Sequence, residues 1–273
     1  HHATTPVDPR VLEAMLPFFS EDFGNPASLT HAPGRRAAAA VEDARERIAE
    51  RLGAQPREIV FTSGATEADN LALLGSARLQ SQRCDHLVTV ATEHPAVLDA
   101  CAALEAEGFR VTRLPVASDG LLDPEAVREV ISERTAIVSV MLANNEIGVL
   151  QPVAEIAAVC RDRGVRFHTD AAQAVGRIPV NTDTLGIDLL SLSAHKFYGP
   201  KGVGALFVRR RRPRVRLAPL QHGGGHEGGL RSGTLPVPLI VGMARALELC
   251  AEEFEREAKR LRELRERMWS RLS

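Results

Sequence analysis

Lysine is nearly absent from this chain: of 34 lysines and arginines only Lys196, Lys201 and Lys259 are lysines. An arginine keeps its proton in a protein, whereas a lysine can be neutralised by its surroundings and act as an amine nucleophile. Two of the three lysines stand within SLSAHKFYGPKG, Ser191 to Gly202. Either chance put them there or the chemistry needs an amine, and the neighbouring residues decide. A basic surplus is also lacking. The net charge of -1 argues against a nucleic-acid binder. No apolar run approaches the roughly 20 residues of a membrane span. The first residues are polar with no apolar stretch behind them, so no signal peptide is read. Cys84, Cys101, Cys160 and Cys250 are too few and too scattered for a disulfide framework, and a reducing cytoplasm is expected. Cys101, Cys160 and Cys250 lie in helical stretches as small buried hydrophobes. Cys84, with Asp85 and His86 beside it, has too few ligands for zinc.

Familiar phosphate and metal motifs are missing too. GPKGVG lacks the P-loop spacing and precedes a strand, and no GxGxxG opens a helix. His222 and His226 have no acidic or cysteine partner at ligand spacing, so no metal is assigned.

What is present is an alternation. At 273 residues, 44% of them hydrophobic, the chain can bury one large domain or one and a half. From residue 58 onward, strand-length apolar runs alternate with helical patterns: EIVFT, HLVTVAT, FRVTRLPV, TAIVSVML, VRFHTD, DLLSLSA and VGALFVR are the strands. The helix after the first strand carries Leu71, Leu74 and Leu79 on one side. Residues 33–53 form a helix ended by glycine, and residues 237–272 repeat apolar residues at helical spacing. The reading is an α/β fold, a mostly parallel sheet with helices on both faces.

In such a sheet ligands bind beyond the carboxyl ends of the strands. Five strand ends deliver polar groups there: Ser63-Gly64-Ala65-Thr66-Glu67, Glu93-His94, Asn144-Asn145-Glu146, Asp170 with Gln173, and Ser193 with His195 and Lys196. SGATE places small residues and a hydroxyl at a helix N-terminus, which attracts an anion such as phosphate. Ser193 and His195 point to the same side and suit the same anion. A buried lysine can condense with an aldehyde, a strand-end aspartate can keep a pyridine nitrogen protonated, and a histidine can lie on an aromatic ring. Phosphate, aldehyde, pyridinium and stacked ring together describe pyridoxal 5'-phosphate. Taken singly, Asp170 can equally cap a turn, His94 cap a helix and Thr66 be an early helix residue.

At this point the chain resembles the cysteine desulfurases of the NifS/IscS type, within the class V aminotransferase family of fold-type I pyridoxal phosphate enzymes. The segments that carry the likeness are HHATTPVDPRV, FGNPAS, REIVFTSGATEADNLAL, TEHPAVLDAC, NNEIGVLQP, HTDAAQAVG, SAHKFYGPKGVGALFVR and GGGHEGGLRSGTLPV. The resemblance implies roles. Lys196 would bind the cofactor covalently, Asp170 would pair with its ring nitrogen and Gln173 with its phenolic oxygen. His94 would stack on the ring and assist proton transfer. Ala65, Thr66, Ser193 and His195 would hold the phosphate. Asn145 would lie against ring and substrate carboxylate, and Thr234 would reach the phosphate in the other subunit of a homodimer. Lys201 reads as structural.

The implied reaction takes L-cysteine to L-alanine and passes its sulfur to an enzyme cysteine as a persulfide. An iron–sulfur scaffold or another acceptor protein would then receive it. None of the four cysteines matches the family's nucleophile loop. The expected organisation is an N-terminal segment (1–32), a pyridoxal-phosphate-binding large domain (33–236) and a long helix (237–273) leading toward a small C-terminal domain that is largely missing. Its exposed apolar face is expected to promote association. The same reading takes HHATTP as native. Another class V enzyme, a lyase or aminotransferase, and a non-catalytic pyridoxal-phosphate-binding fragment are the alternatives.

Overall fold

Prolines and small polar caps punctuate the chain where the helices begin. The computed structural model describes residues 1–272. In chain order the elements are α1 (Pro9–Met15), α2 (Pro17–Ser20), α3 (Ala32–Leu52), β1 (Ile59–Thr62), α4 (Ala65–Gln80), β2 (His86–Val90), α5 (Pro95–Ala106) and β3 (Arg110–Leu114). Then come α6 (Pro124–Val130), β4 (Thr135–Ser139), α7 (Val153–Asp162), β5 (Arg166–Asp170), β6 (Leu189–Ser193), β7 (Gly204–Val208) and α8 (Val237–Leu272). Proline in the first turn, where its missing N–H costs nothing, starts α1, α3, α5 and α6 behind the caps Asp8, His31, His94 and Asp123.

The strands form one seven-stranded sheet in the order β1-β7-β6-β5-β4-β2-β3. Strands β3, β2, β4, β5 and β6 run parallel, and β7 is antiparallel to both β6 and β1. Residues 194–203, which join β6 to β7, are too short for a crossover helix, so the chain must double back. The direction of β7 is a detail that the alternating pattern does not express. The carboxyl ends of β1, β2, β4, β5 and β6 therefore open on one edge.

Successive side chains alternate between the two faces. Val60, Leu87, Ile137, Leu189 and Leu206 meet α4 and α5 on one side. Phe61, Val88, Val138, Phe167, Leu190 and Phe207 meet α1, α3, α6, α7 and α8 on the other. Phe61, Phe167, Phe197 and Phe207 are fully buried, each contributing about 1.5–3 kcal/mol by leaving water. Val11 and Met15 of α1 and the first turns of α8 share this second cluster, so the core runs across positions 32 and 236.

One helical stripe differs from expectation. Leu71 and Leu74 are buried, but Leu79 is 46% exposed. It sits in the last turn of α4. Helix α8 is buried only over its first turns, while Leu261, Leu264, Met268 and Leu272 are 43–74% exposed. No helix among the described residues is long and apolar enough to cross a membrane.

One glycine ties the sheet to the site. A Cβ on Gly204, at the start of β7, would lie 2.4 Å from the Leu192 carbonyl and 2.7 Å from Cα of Gly64. Gly64, at φ +156°, is the residue from which α4 starts. Gly204→Ala should therefore destabilise the protein by about 1–3 kcal/mol, read as a lowered urea midpoint. An unchanged midpoint would mean that β7 and the start of α4 are not packed as tightly as described.

Candidate active site

A cavity of about 810 Å³ lies at the carboxyl edge of the sheet. Ala65, Thr66, His94, Asn145, Asp170, Gln173, Ser193, His195 and Lys196 all line it. The strand order explains the meeting. Strands β5 and β6 are neighbours, so Asp170 and the Ser193–Lys196 turn emerge side by side. The loops after β1, β2 and β4 close round them.

One wall is built for an anion. The cap residue of α4, Gly64, offers no side-chain hydrogen bond, so the first N–H groups of a 16-residue helix have no capping acceptor. Thr66, Ser193 and His195 stand beside them, and Lys201 adds a cation. The loop before α4 is pinned by Glu67, whose carboxylate accepts from the Ser63 N–H at 2.7 Å and pairs with Arg231 at 2.8 Å. Behind it, Glu227 and Arg45 form a buried bidentate pair, both bonds at 2.8 Å, and Glu227 also accepts from the Phe61 N–H.

The opposite wall is acidic. Asp170 closes β5, is 6% exposed and accepts a hydrogen bond from the Ala172 N–H at 2.8 Å. Burial pushes its carboxyl up from the usual aspartate value. The Ala172 N–H and the charges of His94 and Lys196 pull it back. Lys196 is half-buried, and burial lowers its ammonium below the ordinary lysine value against the opposing charge of Asp170. Its Nζ donates to the carbonyls of Ala3 and His2 at 3.0 and 3.3 Å, and Gln173 Nε2 donates to the His2 carbonyl at 3.2 Å. His195 is held low by burial and by the two neighbouring ammonium groups, Lys196 and Lys201.

Several residues do two things at once. His94 caps α5, its Nδ1 accepting from the Ala96 N–H at 3.1 Å, and it lines the cavity. That bond leaves the proton of the neutral ring on Nε2. Asp170 likewise caps its turn and faces the cavity. Of the pair Asn144-Asn145, the first is structural: it donates to the Thr92 carbonyl and accepts from the N–H groups of Glu146 and Ile147. That leaves Asn145 for the cavity.

Thr234 is the one residue of the set that does not reach it; it is exposed, in the segment that Arg231 anchors. Lys201, read from sequence as structural, is on the cavity wall. Sequence reasoning also missed Asp69 and the His2–Thr4 segment as lining. Only the ATTP likeness pointed to that segment. Thr5 stitches it down, donating from Oγ1 to the His195 carbonyl at 2.9 Å and accepting from the Tyr198 N–H at 2.8 Å. Tyr198 takes φ +64°, a strained value for a bulky residue, in the turn after Lys196. Among the described residues no group of three or more His, Cys, Asp or Glu is arranged to hold a metal.

Comparison with known proteins places these features in context. The family model described as aminotransferase class-V matches residues 1–273. The cysteine desulfurase of Mus musculus is 57% identical over 266 residues, which are 97% of this chain and 58% of the relative. The chain thus spans under two thirds of that protein's length. A solved NifS-like protein superposes with a TM-score of 0.96 at 44% identity, covering 99% of this chain and 74% of that one. The structure of SspA in complex with cysteine superposes at 0.87 with 46% identity, covering 90% of this chain and 71% of the other.

Under the cavity floor His168 is fully buried, and burial depresses it from its ordinary 6.5 to about 3. A base depressed by folding lends stability that is complete above 6.5 and drains as pH falls toward 3. The urea midpoint should therefore fall on acidification through that window, by at most about 1.4 kcal/mol per pH unit from this group. In His168→Asn that part of the slope should vanish. The buried acids Asp69 and Glu93, whose raised values work in the opposite sense, remain in both proteins and cancel in the comparison. Equal slopes would mean that His168 titrates normally in the fold.

Proposed function

The chain belongs to the class V aminotransferase family, and on that footing we propose that its pocket holds pyridoxal 5'-phosphate and acts on L-cysteine as the site of a cysteine desulfurase. Members of the family use this cofactor. The observation that carries the reading is the pairing of Lys196 with Asp170 on adjacent strand ends, facing an uncapped helix start across one cavity. Those donors fit the cofactor's chemistry: a phosphate for the start of α4, an aldehyde for the amine and a ring nitrogen for the buried carboxylate.

When bound, pyridoxal phosphate supplies an aldehyde for amine chemistry and an electron-withdrawing ring beside the substrate α-carbon. The residues supply the rest. The first N–H groups of α4, with Thr66, Ser193 and His195, bind the phosphate. Asp170, ionised, holds a proton on the ring nitrogen. Gln173 reaches the phenolic oxygen, and Asn145 orients ring and substrate carboxylate. Lys196, lowered by burial, presents an unprotonated amine more readily than a surface lysine, and once free it can carry the α-proton. His94 covers the ring with its proton on Nε2.

The reaction consumes L-cysteine and one thiol and yields L-alanine and one persulfide. The four cysteines all lie outside the cavity lining, so the accepting thiol comes from elsewhere. An iron–sulfur scaffold or another acceptor protein takes the sulfur onward. The reading includes a homodimer, which an exposed Thr234 suits, since it could serve the cavity of a second copy. It also includes the cytoplasm, in keeping with four free thiols. The cysteine desulfurase among the relatives and the cysteine in the SspA complex support the substrate.

Pyridoxal phosphate added to the purified protein should give a visible band, and borohydride should fix an adduct that peptide mapping finds on Lys196. In heavy water, L-cysteine should exchange its α-hydrogen, and Lys196→Ala should slow that exchange by at least about 100-fold. An adduct on another lysine, or cysteine that binds without exchange, would sink the reading.

A further inference from the structure

A polar layer lies directly beneath the acidic wall, in a part of the core that is otherwise apolar. His168 precedes Asp170 by two residues on β5 and so shares its face of the sheet. Its ring bridges the flanking strands, with Nδ1 2.8 Å from Ser139 Oγ of β4 and Nε2 3.0 Å from Ser191 Oγ of β6. All three side chains are fully buried. Asp69 of α4 lies on this row, one carboxyl oxygen 3.6 Å from His168 Nε2. It is 0% exposed, lines the cavity, and neither of its oxygens has a hydrogen-bond partner.

Only the Ser191 hydroxyl, already held by His168, leans toward a charge on Asp69, and burial outweighs it. Among the described residues the basic group beside it is His168, which burial keeps neutral. The other ionisable groups facing it are Asp170 and Glu93, both acidic, and across Asp170 stand His94 and Lys196. An ionised carboxyl here would be an isolated buried charge, several kcal/mol above the neutral acid. Asp170 differs, because it has the Ala172 N–H and faces Lys196. Of the two neighbouring carboxyls, Asp170 keeps the charge and Asp69 the proton.

We propose that Asp69 is carried as the neutral acid and is a positioning residue for Asp170, forming an uncharged, proton-donating wall behind the carboxylate that meets the cofactor ring. The proposal rests on the pyridoxal phosphate reading. It assigns Asp69 a function that neither charge nor bulk alone supplies. An amide in its place is still neutral and still donates. A leucine fills the same volume and does neither.

The experiment compares Asp69→Asn with Asp69→Leu in the full chain, using pyridoxal 5'-phosphate as the probe. The readouts are its dissociation constant and the pH midpoint of the visible band. Asp69→Asn should keep both within about threefold of the parent, whereas Asp69→Leu should weaken binding about tenfold and move the midpoint by about one unit. Infrared difference spectra of the protein without cofactor at neutral pH should contain the carbonyl band of an un-ionised carboxyl, lost in Asp69→Asn. The proposal is overturned if Asp69→Asn shifts the midpoint as far as Asp69→Leu, if Asp69→Leu behaves like the parent, or if no such band is lost. Should the leucine variant fail to fold, the asparagine variant and the infrared band decide alone. A parent chain that does not bind the cofactor would overturn the proposed function and, with it, the role toward Asp170. The infrared band separates that failure from an ionised Asp69.

Discussion

A carboxylate buried at the end of a central strand needs an answering group, and Asp170 sets this constraint for the whole pocket. Its neighbours are chosen around it. The Ala172 N–H binds it from its own turn, and Lys196 emerges from the adjacent strand end with an opposing charge. Beneath it, His168 and its two serines fill the strand layer with groups that are polar but uncharged. Had those positions carried a permanent cation, Asp170 would be satisfied internally and would have little pull left for a ligand.

The opposite wall follows from the fold in a different way. The sheet order brings the start of α4 against the turn after β6, and a helix start that no side chain caps leaves N–H groups wanting an acceptor. Gly64 and Gly204 let the two backbones approach, as a Cβ at position 204 would collide with Gly64. The ion pairs Glu67–Arg231 and Glu227–Arg45 then fix the loops around that contact, the first from the cavity wall itself and the second from behind it. Anion-seeking and cation-seeking walls thus face each other across a single cleft, which is the polarity of a ligand with a phosphate at one end and a basic ring nitrogen at the other.

Much of this was legible in the sequence, for a reason specific to parallel sheets. Apolar runs such as TAIVSVML identify strands covered on both faces, and whatever follows such a strand lies at the carboxyl edge. SGATE, Glu93-His94, Asn145, Asp170 and Ser193–Lys196 could therefore be gathered before any coordinates. Competing roles did not have to be resolved, because His94 and Asp170 serve both as caps and as lining. Three things were not legible. The antiparallel course of β7 depends on how short its connection is, and the exposure of Leu79 follows from its place in the last turn of α4. The layer under the floor combines Asp69 from α4, Ser139 from β4, His168 from β5 and Ser191 from β6. Each reads locally as an unremarkable residue in its own element.

The imbalance between lysine and arginine acquires a physical reason from the same geometry. The buried and loop-fixing ion pairs use arginine: Arg45 with Glu227, Arg231 with Glu67, Arg209 with Asp183. A planar guanidinium with a permanent charge suits those bidentate or shared contacts. The cavity is lined by two lysines and, among the described residues, by no arginine. A cation that must be able to lose its proton beside Asp170 cannot be a guanidinium, and one replacing Lys196 would neutralise the acidic wall permanently. Lys259, on the outer turns of α8, is the exception, and no such constraint acts there.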